Sequence, residues 1–167
     1  MKRCTVRGFS LIEILIVVMI IGILAAIAVP KFSNASQIAR ENTLKDDLRL
    51  WRTQLSVYQT QHSVFPGYPS GDSNQPPTAA VAADQLLKNT DSLGNVSGSA
   101  TDLYKWGPYL DAIPKNPVNA NADIKILSPG DAFTPDGTTG WLYQPSTGTI
   151  KANNTGMDAT GHALIDY

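Results

Sequence analysis

Residues 8–30 read GFSLIEILIVVMIIGILAAIAVP, and this stretch decides how the rest of the chain is interpreted. From Ile14 to Val29 it contains no polar side chain. The segment from Phe9 to Val29 would extend about 32 Å as an α-helix, which matches a bilayer hydrocarbon core of roughly 30 Å. The sequence therefore predicts a helix long enough to cross a membrane.

One acidic residue, Glu13, interrupts this apolar segment. A carboxylate inside a membrane helix costs on the order of 2.5–3.5 kcal/mol, so it should have a partner. The preceding residues 1–8 contain no acid and three basic residues, which favour a cytoplasmic location for this end: Lys2, Arg3 and Arg7. Cleavage after Gly8 would create an amino group on Phe9 at the depth of Glu13. That cation, on a neighbouring copy, could neutralise the carboxylate.

A basic leader ending in Gly, then Phe-Ser-Leu-Ile-Glu, then an unbroken apolar helix resembles the N-terminal signature of type IV pilins and type II secretion pseudopilins. The resemblance implies cleavage between Gly8 and Phe9 by a prepilin peptidase, and N-methylation of Phe9. It also implies that Glu13 docks subunits, and that the helix can loosen or bend at Gly22 and Pro30.

Two simpler interpretations explain less of this stretch. A secretory signal peptide could be cleaved after Ala26-Ile27-Ala28, but it would carry Glu13 inside an unusually long apolar region. A plain single-pass anchor explains the length of the segment but neither Glu13 nor the Gly-Phe junction.

Charge and cysteine content restrict the possible functions. The whole chain has a formal net charge of −1, and from Lys31 onward 10 Lys plus Arg face 13 Asp plus Glu. This mildly acidic balance argues against nucleic acid as a partner. Cys4, the only cysteine, lies in the leader, so the processed chain would have neither a disulfide nor a catalytic thiol. Many type IV pilins carry a C-terminal disulfide, so its absence favours a pseudopilin.

The chain divides into a leader (1–8), an apolar half-helix (9–30), an amphipathic half-helix (31–62) and a loop-rich globular region (63–167). We expect one helix from about Phe9 to His62. Apolar residues recur in steps of three and four on one face, which should pack on a sheet: Leu44, Leu48, Trp51, Leu55 and Tyr58. The other side should be solvated or face another subunit: Arg40, Glu41, Lys45, Asp46, Arg49 and Arg52.

The globular region combines loops with a few regular elements. Thr78 is positioned to cap a short helix over residues 79–88. Residues 106–117 contain aromatic and apolar residues between prolines and should form a packed connection over the end of the long helix. This series resembles the middle region of the major pseudopilin of type II secretion. Asn116-Pro117-Val118-Asn119 departs from that family's usual Asp-Pro-Trp-Gly.

The strand signals lie in the last third of the chain. Residues 140–144 and 149–152 flank the turn-forming Pro-Ser-Thr-Gly and predict a β-hairpin. Residues 123–128 alternate polar and apolar and should add a third antiparallel strand, and residues 163–165 should dock as a short final edge. The expected fold class is α+β, a type IV pilin-like long helix packed on a small antiparallel sheet.

Catalytic and metal signatures are few. His62 and His162 lack metal-ligand spacing, and each should be exposed or hydrogen-bonded. The sequence contains no Gly-rich phosphate loop, HExxH or nucleophile elbow. The resemblance to major pseudopilins, which carry calcium in a C-terminal loop, raises calcium as a possible cofactor without assigning its ligands. Candidate oxygen donors lie in polar loops: Asp131, Asp136 and Asp158.

The expected function is that of a non-enzymatic subunit of a type II secretion pseudopilus. The implied partners are further copies in a helical filament, minor pseudopilins, prepilin peptidase, and an inner-membrane assembly platform driven by a separate ATPase. The protein would lie in the inner membrane with a cytoplasmic N-terminus and a periplasmic domain until it is extracted into the filament. The alternatives are a type IV pilus subunit for adhesion, motility or DNA uptake, and a membrane-tethered enzyme or binding module.

Overall fold

The computed structural model describes residues 9–167, apart from the side chains of residues 28–34. A single α-helix, α1, covers Leu11–His62 and continues through Gly22 and Pro30. The predicted long helix is therefore confirmed. Contacts divide the chain into two units, with the boundary inside α1 between Ile38 and Ala39.

The amphipathic half of α1 supplies one wall of the core. All five predicted stripe residues, Leu44, Leu48, Trp51, Leu55 and Tyr58, are at most 1% exposed. The expectation for the other side is wrong at Glu41, which is buried. Its Oε1 accepts a hydrogen bond from the Ala159 backbone N–H at 3.0 Å, because the C-terminal loop folds back onto this part of the helix.

A three-stranded sheet forms the facing wall. Strand β3 (Ile124–Ile126) precedes the hairpin of β4 (Trp141–Gln144) and β5 (Thr149–Ala152), and the spatial order is β3-β4-β5. Strands β4 and β5 pair antiparallel, which confirms the predicted hairpin. The antiparallel prediction for β3 is wrong: it pairs parallel to β4, with Ile124 opposite Trp141. The long connection from Leu127 to Gly140 returns the chain to its starting end, as parallel pairing requires.

The part of the chain that follows α1 and precedes β3 contains a second helix and a small two-stranded ladder. Helix α2 spans Ala79–Leu87, and Thr78 Oγ1 accepts from the Val81 N–H at 3.2 Å, which confirms the predicted cap. Strands β1 (Asn89–Thr90) and β2 (Val96–Ser97) form an antiparallel ladder that the sequence pattern did not predict. Short 3₁₀ turns occupy Pro69–Gly71 and Leu164–Asp166, so the predicted C-terminal edge is a turn instead.

Aromatic side chains join the helix to the sheet and to the covering segment. The rings of Trp51 and Trp141 meet edge to face with centroids 6.0 Å apart. In the 106–117 segment, Tyr109 is buried, and the Trp106 ring lies 5.5 Å from the His62 ring at the end of α1. The predicted packed connection over the end of the helix is thus confirmed.

Candidate assembly site

The start of α1 holds the predicted assembly residue in a defined geometry. Ser10 precedes the first helical residue, and its carbonyl accepts from the N–H groups of Glu13 and Ile14 at 3.1 and 3.3 Å. Glu13 Oε2 accepts from the Ser10 N–H at 2.9 Å. This is the carboxylate half of a capping box, and it satisfies a donor that the helix leaves unpaired. An acid in the first turn also complements the helix dipole.

Apolar side chains surround this carboxylate. Every large apolar residue from Phe9 to Ile27 is exposed, with Phe9 at 80% and Leu11 at 85%. Because these residues follow one another without a polar break after Glu13, the exposed apolar surface extends around all sides of α1 up to Ile27. A continuous apolar surface of this kind requires lipid or another protein as its partner.

No helix in the described part of the chain is both long and apolar enough to cross a membrane.

The structure describes only some of the predicted processing and bending sites. Residues 1–8, including Gly8 at the expected cleavage junction, lie outside the described residues. At Gly22 a Cβ atom would have no neighbour within 4 Å, so packing within the subunit does not require glycine there. The roles assigned to Gly8, Phe9, Glu13, Gly22 and Pro30 remain predictions.

The aspartates considered for calcium are bonded to donors of their own chain. Asp136 accepts from Lys125 Nζ at 2.7 Å and from Asn153 Nδ2 at 2.7 Å, and these donors hold its pKa well below the usual range. Asp158 accepts from the Tyr167 hydroxyl at 2.6 Å, which likewise lowers its pKa. Asp131 accepts from the Ser128 N–H at 2.8 Å.

Across residues 9–167, as far as they are described, no group of three or more His, Cys, Asp or Glu side chains could hold a metal ion.

The two histidines differ in their surroundings. His162 is exposed, whereas His62 is buried at the end of α1. Nε2 of His62 lies 2.9 Å from the Tyr109 hydroxyl and 3.1 Å from Thr90 Oγ1. The prediction of an exposed or hydrogen-bonded side chain is confirmed for each, and His62 serves the packing of the 106–117 segment.

Two buried asparagines connect the loops of the C-terminal region by hydrogen bonds. The sequence pattern did not predict this role. Asn116 Nδ2 donates to the Gly140 carbonyl at 2.9 Å, and Asn153 Oδ1 accepts from the N–H groups of Asp136 and Gly137. Both side chains are fully buried. The only indication in the sequence was that Asn is frequent in a region without cysteine. This composition does not indicate which asparagine forms a hydrogen bond with which loop.

Comparison with known proteins places the helix start in context. Residues 3–29 match the family model of the prokaryotic N-terminal methylation motif. Core protein G of the type II secretion system from Klebsiella michiganensis is 32% identical over 130 residues, covering 78% of this chain and 79% of the relative. The Vibrio cholerae core protein G is 29% identical over 160 residues, covering 96% and 94%.

A pilin also matches the chain over most of its length. The type IV major pilin protein PilA of Myxococcus xanthus is 31% identical over 174 aligned positions, covering 94% of this chain and 74% of the relative. No solved structure matches the chain.

The motif and the long helix, whose first half is exposed and apolar, define a prepilin-like protein. The relatives match most of this chain and most of their own length, and this identifies the family. The chain belongs to the family that contains the type II secretion core protein G, the major pseudopilin, together with the type IV pilins.

Proposed function

We propose that this chain is a structural subunit of a type II secretion pseudopilus, assembled into a helical filament that helps to export proteins. One observation carries the proposal: the methylation motif coincides with a helix whose first half exposes apolar side chains and has Glu13 in its first turn. The similarity to core protein G over most of the chain supports the choice of a secretion filament.

The unassembled subunit is held in the inner membrane by the apolar residues 9–29, with the basic leader in the cytoplasm and the globular region in the periplasm. Prepilin peptidase cuts after Gly8, and Phe9 is N-methylated. An inner-membrane platform then extracts the subunit into the filament, which minor pseudopilins also join. In the filament, apolar helices of neighbouring copies replace lipid as packing partners.

Glu13 sets the register of each incoming copy. Its Oε2 atom accepts the Ser10 N–H within the subunit, and a carboxylate can accept several further hydrogen bonds. The ammonium group of Phe9 on a neighbouring copy pairs with this carboxylate in an apolar surrounding, where an unpaired charge is costly. Correct docking is therefore favoured over a shifted register.

Mass spectrometry of the N-terminus of the native membrane protein tests this function. The expected first residue is N-methylated Phe9. A mature chain that keeps the basic octapeptide, or that begins beyond Ala28, would refute the proposal, because Phe9 would then offer no ammonium group to Glu13.

A type IV pilus subunit is the second candidate, and the similarity to the Myxococcus pilin favours it. Deleting the gene separates the two functions. Loss of protein export without loss of long surface filaments supports the pseudopilus, whereas loss of long filaments with normal export supports the pilus.

A membrane-tethered enzyme is the remaining alternative. The relatives do not favour it, because they are named secretion-system core proteins and pilins. We propose that the chain has no enzymatic activity. Glu13→Ala distinguishes the two classes, because a tethered enzyme would keep its activity whereas a filament subunit would fail to assemble.

A further inference from the structure

The loop that joins β3 to β4 contains the only Asp-Gly sequence of the chain, Asp136-Gly137. Both residues are exposed to solvent. Gly137 has a φ of +71°, in the left-handed region that favours glycine, so the turn explains why no larger residue follows the aspartate. Asp-Gly is also the sequence at which an aspartyl peptide bond rearranges most readily, because glycine has no side chain to shield its nitrogen.

This rearrangement is an intramolecular acyl transfer that needs only water. The Gly137 nitrogen loses its proton and bonds to Cγ of Asp136, while a carboxyl oxygen leaves as water and a five-membered succinimide ring forms. A second water molecule then opens the ring. When the bond from the nitrogen to the main-chain carbonyl of Asp136 breaks, the backbone continues through the former side chain as isoaspartate. The product has the same mass as the starting chain, and nothing is oxidised or reduced.

One buried side chain holds the groups that this reaction requires. Oδ1 of Asn153 accepts from the Gly137 N–H at 3.1 Å and from the Asp136 N–H at 2.7 Å. Nδ2 of Asn153 donates to Asp136 Oδ1 at 2.7 Å. Asn153 is fully buried, so its amide is fixed although the turn itself is exposed. The Gly137 nitrogen can therefore attack only after it gives up its acceptor and the carboxyl group leaves the Asn153 amide.

The carboxyl group of Asp136 has two further partners. The N–H and the hydroxyl group of Thr138 donate to Oδ1 at 3.0 and 2.7 Å, and Lys125 Nζ lies 2.7 Å from Oδ2. These donors favour the ionised carboxylate. A carboxylate is a poorer electrophile than a carboxylic acid, because it cannot release its oxygen as water without first gaining protons.

We infer that Asp136 is a latent site of isoaspartate modification and that Asn153 keeps it unmodified in the folded chain. The inference goes beyond the proposed function and does not depend on it. Isoaspartate would add one methylene group to the backbone between β3 and β4 and would displace the carboxylate from Lys125. Local opening of this loop, rather than the exposure of its residues, controls the reaction.

Incubation of the full chain in detergent at neutral pH tests the inference. Isoaspartate at position 136 is quantified over time by peptide mapping with electron-transfer fragmentation, which distinguishes it from aspartate. A synthetic peptide of residues 131–142 gives the unshielded rate. Asn153→Ala removes the shield. Asn116→Ala is the matched control, because Asn116 is also fully buried but its Nδ2 donates to the Gly140 carbonyl instead of to Asp136.

The expected rate in the unaltered chain is about tenfold below that of the peptide, and Asn153→Ala should raise it about tenfold. Asn116→Ala should stay close to the unaltered chain. An unchanged rate in Asn153→Ala would overturn the inference. Equal acceleration in both variants would also overturn it, because general loosening of the loops would then explain the reaction.

Hydrogen exchange at the Gly137 amide gives a readout that needs no variant. In the unaltered chain this proton should exchange about tenfold more slowly than in the peptide, because it is bonded to Asn153. Exchange at the rate of the peptide would overturn the inference whether or not Asn153→Ala folds, since the nitrogen would then be as free as in an unfolded chain.

Discussion

At the scale of the residue, Glu13 combines two properties that the sequence pattern does not separate. It is a hydrogen-bond acceptor for the start of its own helix, since Oε2 lies 2.9 Å from the Ser10 N–H. It is also a negative charge among exposed apolar side chains. The first property would be needed in every subunit, whereas only the second can recognise an ammonium group on a neighbouring copy.

Replacing Glu13 with Gln separates these properties. The amide oxygen can still accept from the Ser10 N–H, so the helix start should be preserved, but the charge that pairs with the Phe9 ammonium group is lost. We expect Glu13→Gln to be inserted and cut normally and to yield no filaments by sedimentation. Ser10→Ala, which keeps the backbone N–H, is the control and should assemble. Normal filaments from Glu13→Gln would show that the carboxylate acts only as a cap.

His62 is the second residue whose environment has a measurable consequence. Burial lowers the pKa of its imidazole from 6.5, because removal from water disfavours the charged form. Asp91 acts in the opposite direction and favours the charged form, but its effect is smaller than that of burial. The folded state therefore binds a proton at His62 less readily than the unfolded state.

This difference gives stability a pH dependence with a definite sign. Well above pH 6.5 His62 is neutral in both states and has no effect, whereas as the pH falls through that value the unfolded chain gains a proton that the folded chain resists. The free energy of unfolding should therefore fall as the pH drops from 7 towards 5. His62→Gln should flatten this slope in urea titrations. An unchanged slope in His62→Gln would assign the acid sensitivity to other groups.

At the scale of the element, the predictable features were those encoded by local spacing. The buried stripe of α1, the Thr78 cap and the β4–β5 hairpin each depend on residues a few positions apart. The parallel pairing of β3 was missed because alternation between polar and apolar residues carries no information about strand direction. Strands β1 and β2 were missed because each has only two residues, too few to show a period.

The same distinction applies to the candidate site. The motif at residues 8–13 predicts Glu13 as the assembly residue, since leader, junction and acid are contiguous in the sequence. The hydrogen bond from Ala159 to Glu41 spans 118 residues, and the asparagine contacts depend on how distant loops meet. Such long-range pairs are set by tertiary packing, which a single sequence does not display.

Gln85 on α2 is an example of such a long-range element contact. Its Oε1 accepts from the Gly67 N–H at 2.8 Å, and its Nε2 donates to the carbonyls of Tyr68 and Gly94 at 3.0 and 2.9 Å. One buried side chain thus joins α2 to two loops.

Gln85→Leu should lower the free energy of unfolding by about 2–4 kcal/mol, because the buried Gly67 N–H and two carbonyls lose their partner. Urea denaturation of the purified full chain in detergent measures this loss. Gln59→Leu is the matched control at an exposed position of α1, and it should change stability by less than about 0.5 kcal/mol. A loss below 1 kcal/mol in Gln85→Leu would mean that water replaces the missing amide.

At the scale of the whole molecule, internal hydrogen bonds substitute for stronger cross-links. The chain beyond residue 8 contains no cysteine, so no disulfide can close its C-terminal loops. Fully buried Asn116 and Asn153 join those loops instead, and Tyr167 is held by its hydroxyl bond to Asp158 and by Lys45 Nζ, 4.2 Å from the ring centre. The C-terminal region thus has a stabilising network of hydrogen bonds within its own chain.

Calcium binding can be tested on this network as a whole. Free calcium at a hundred times the Kd of a site would stabilise the folded chain by about 2.7 kcal/mol. This corresponds to a rise in Tm of several degrees for a domain of this size. We expect Tm to be the same in calcium and in chelator, because the carboxylates of Asp131, Asp136 and Asp158 already accept hydrogen bonds from their own chain. Magnesium at equal concentration is the control for ionic strength. A rise in Tm that calcium alone produces, that the chelator reverses and that Asp136→Asn abolishes would instead identify a calcium site built around Asp136.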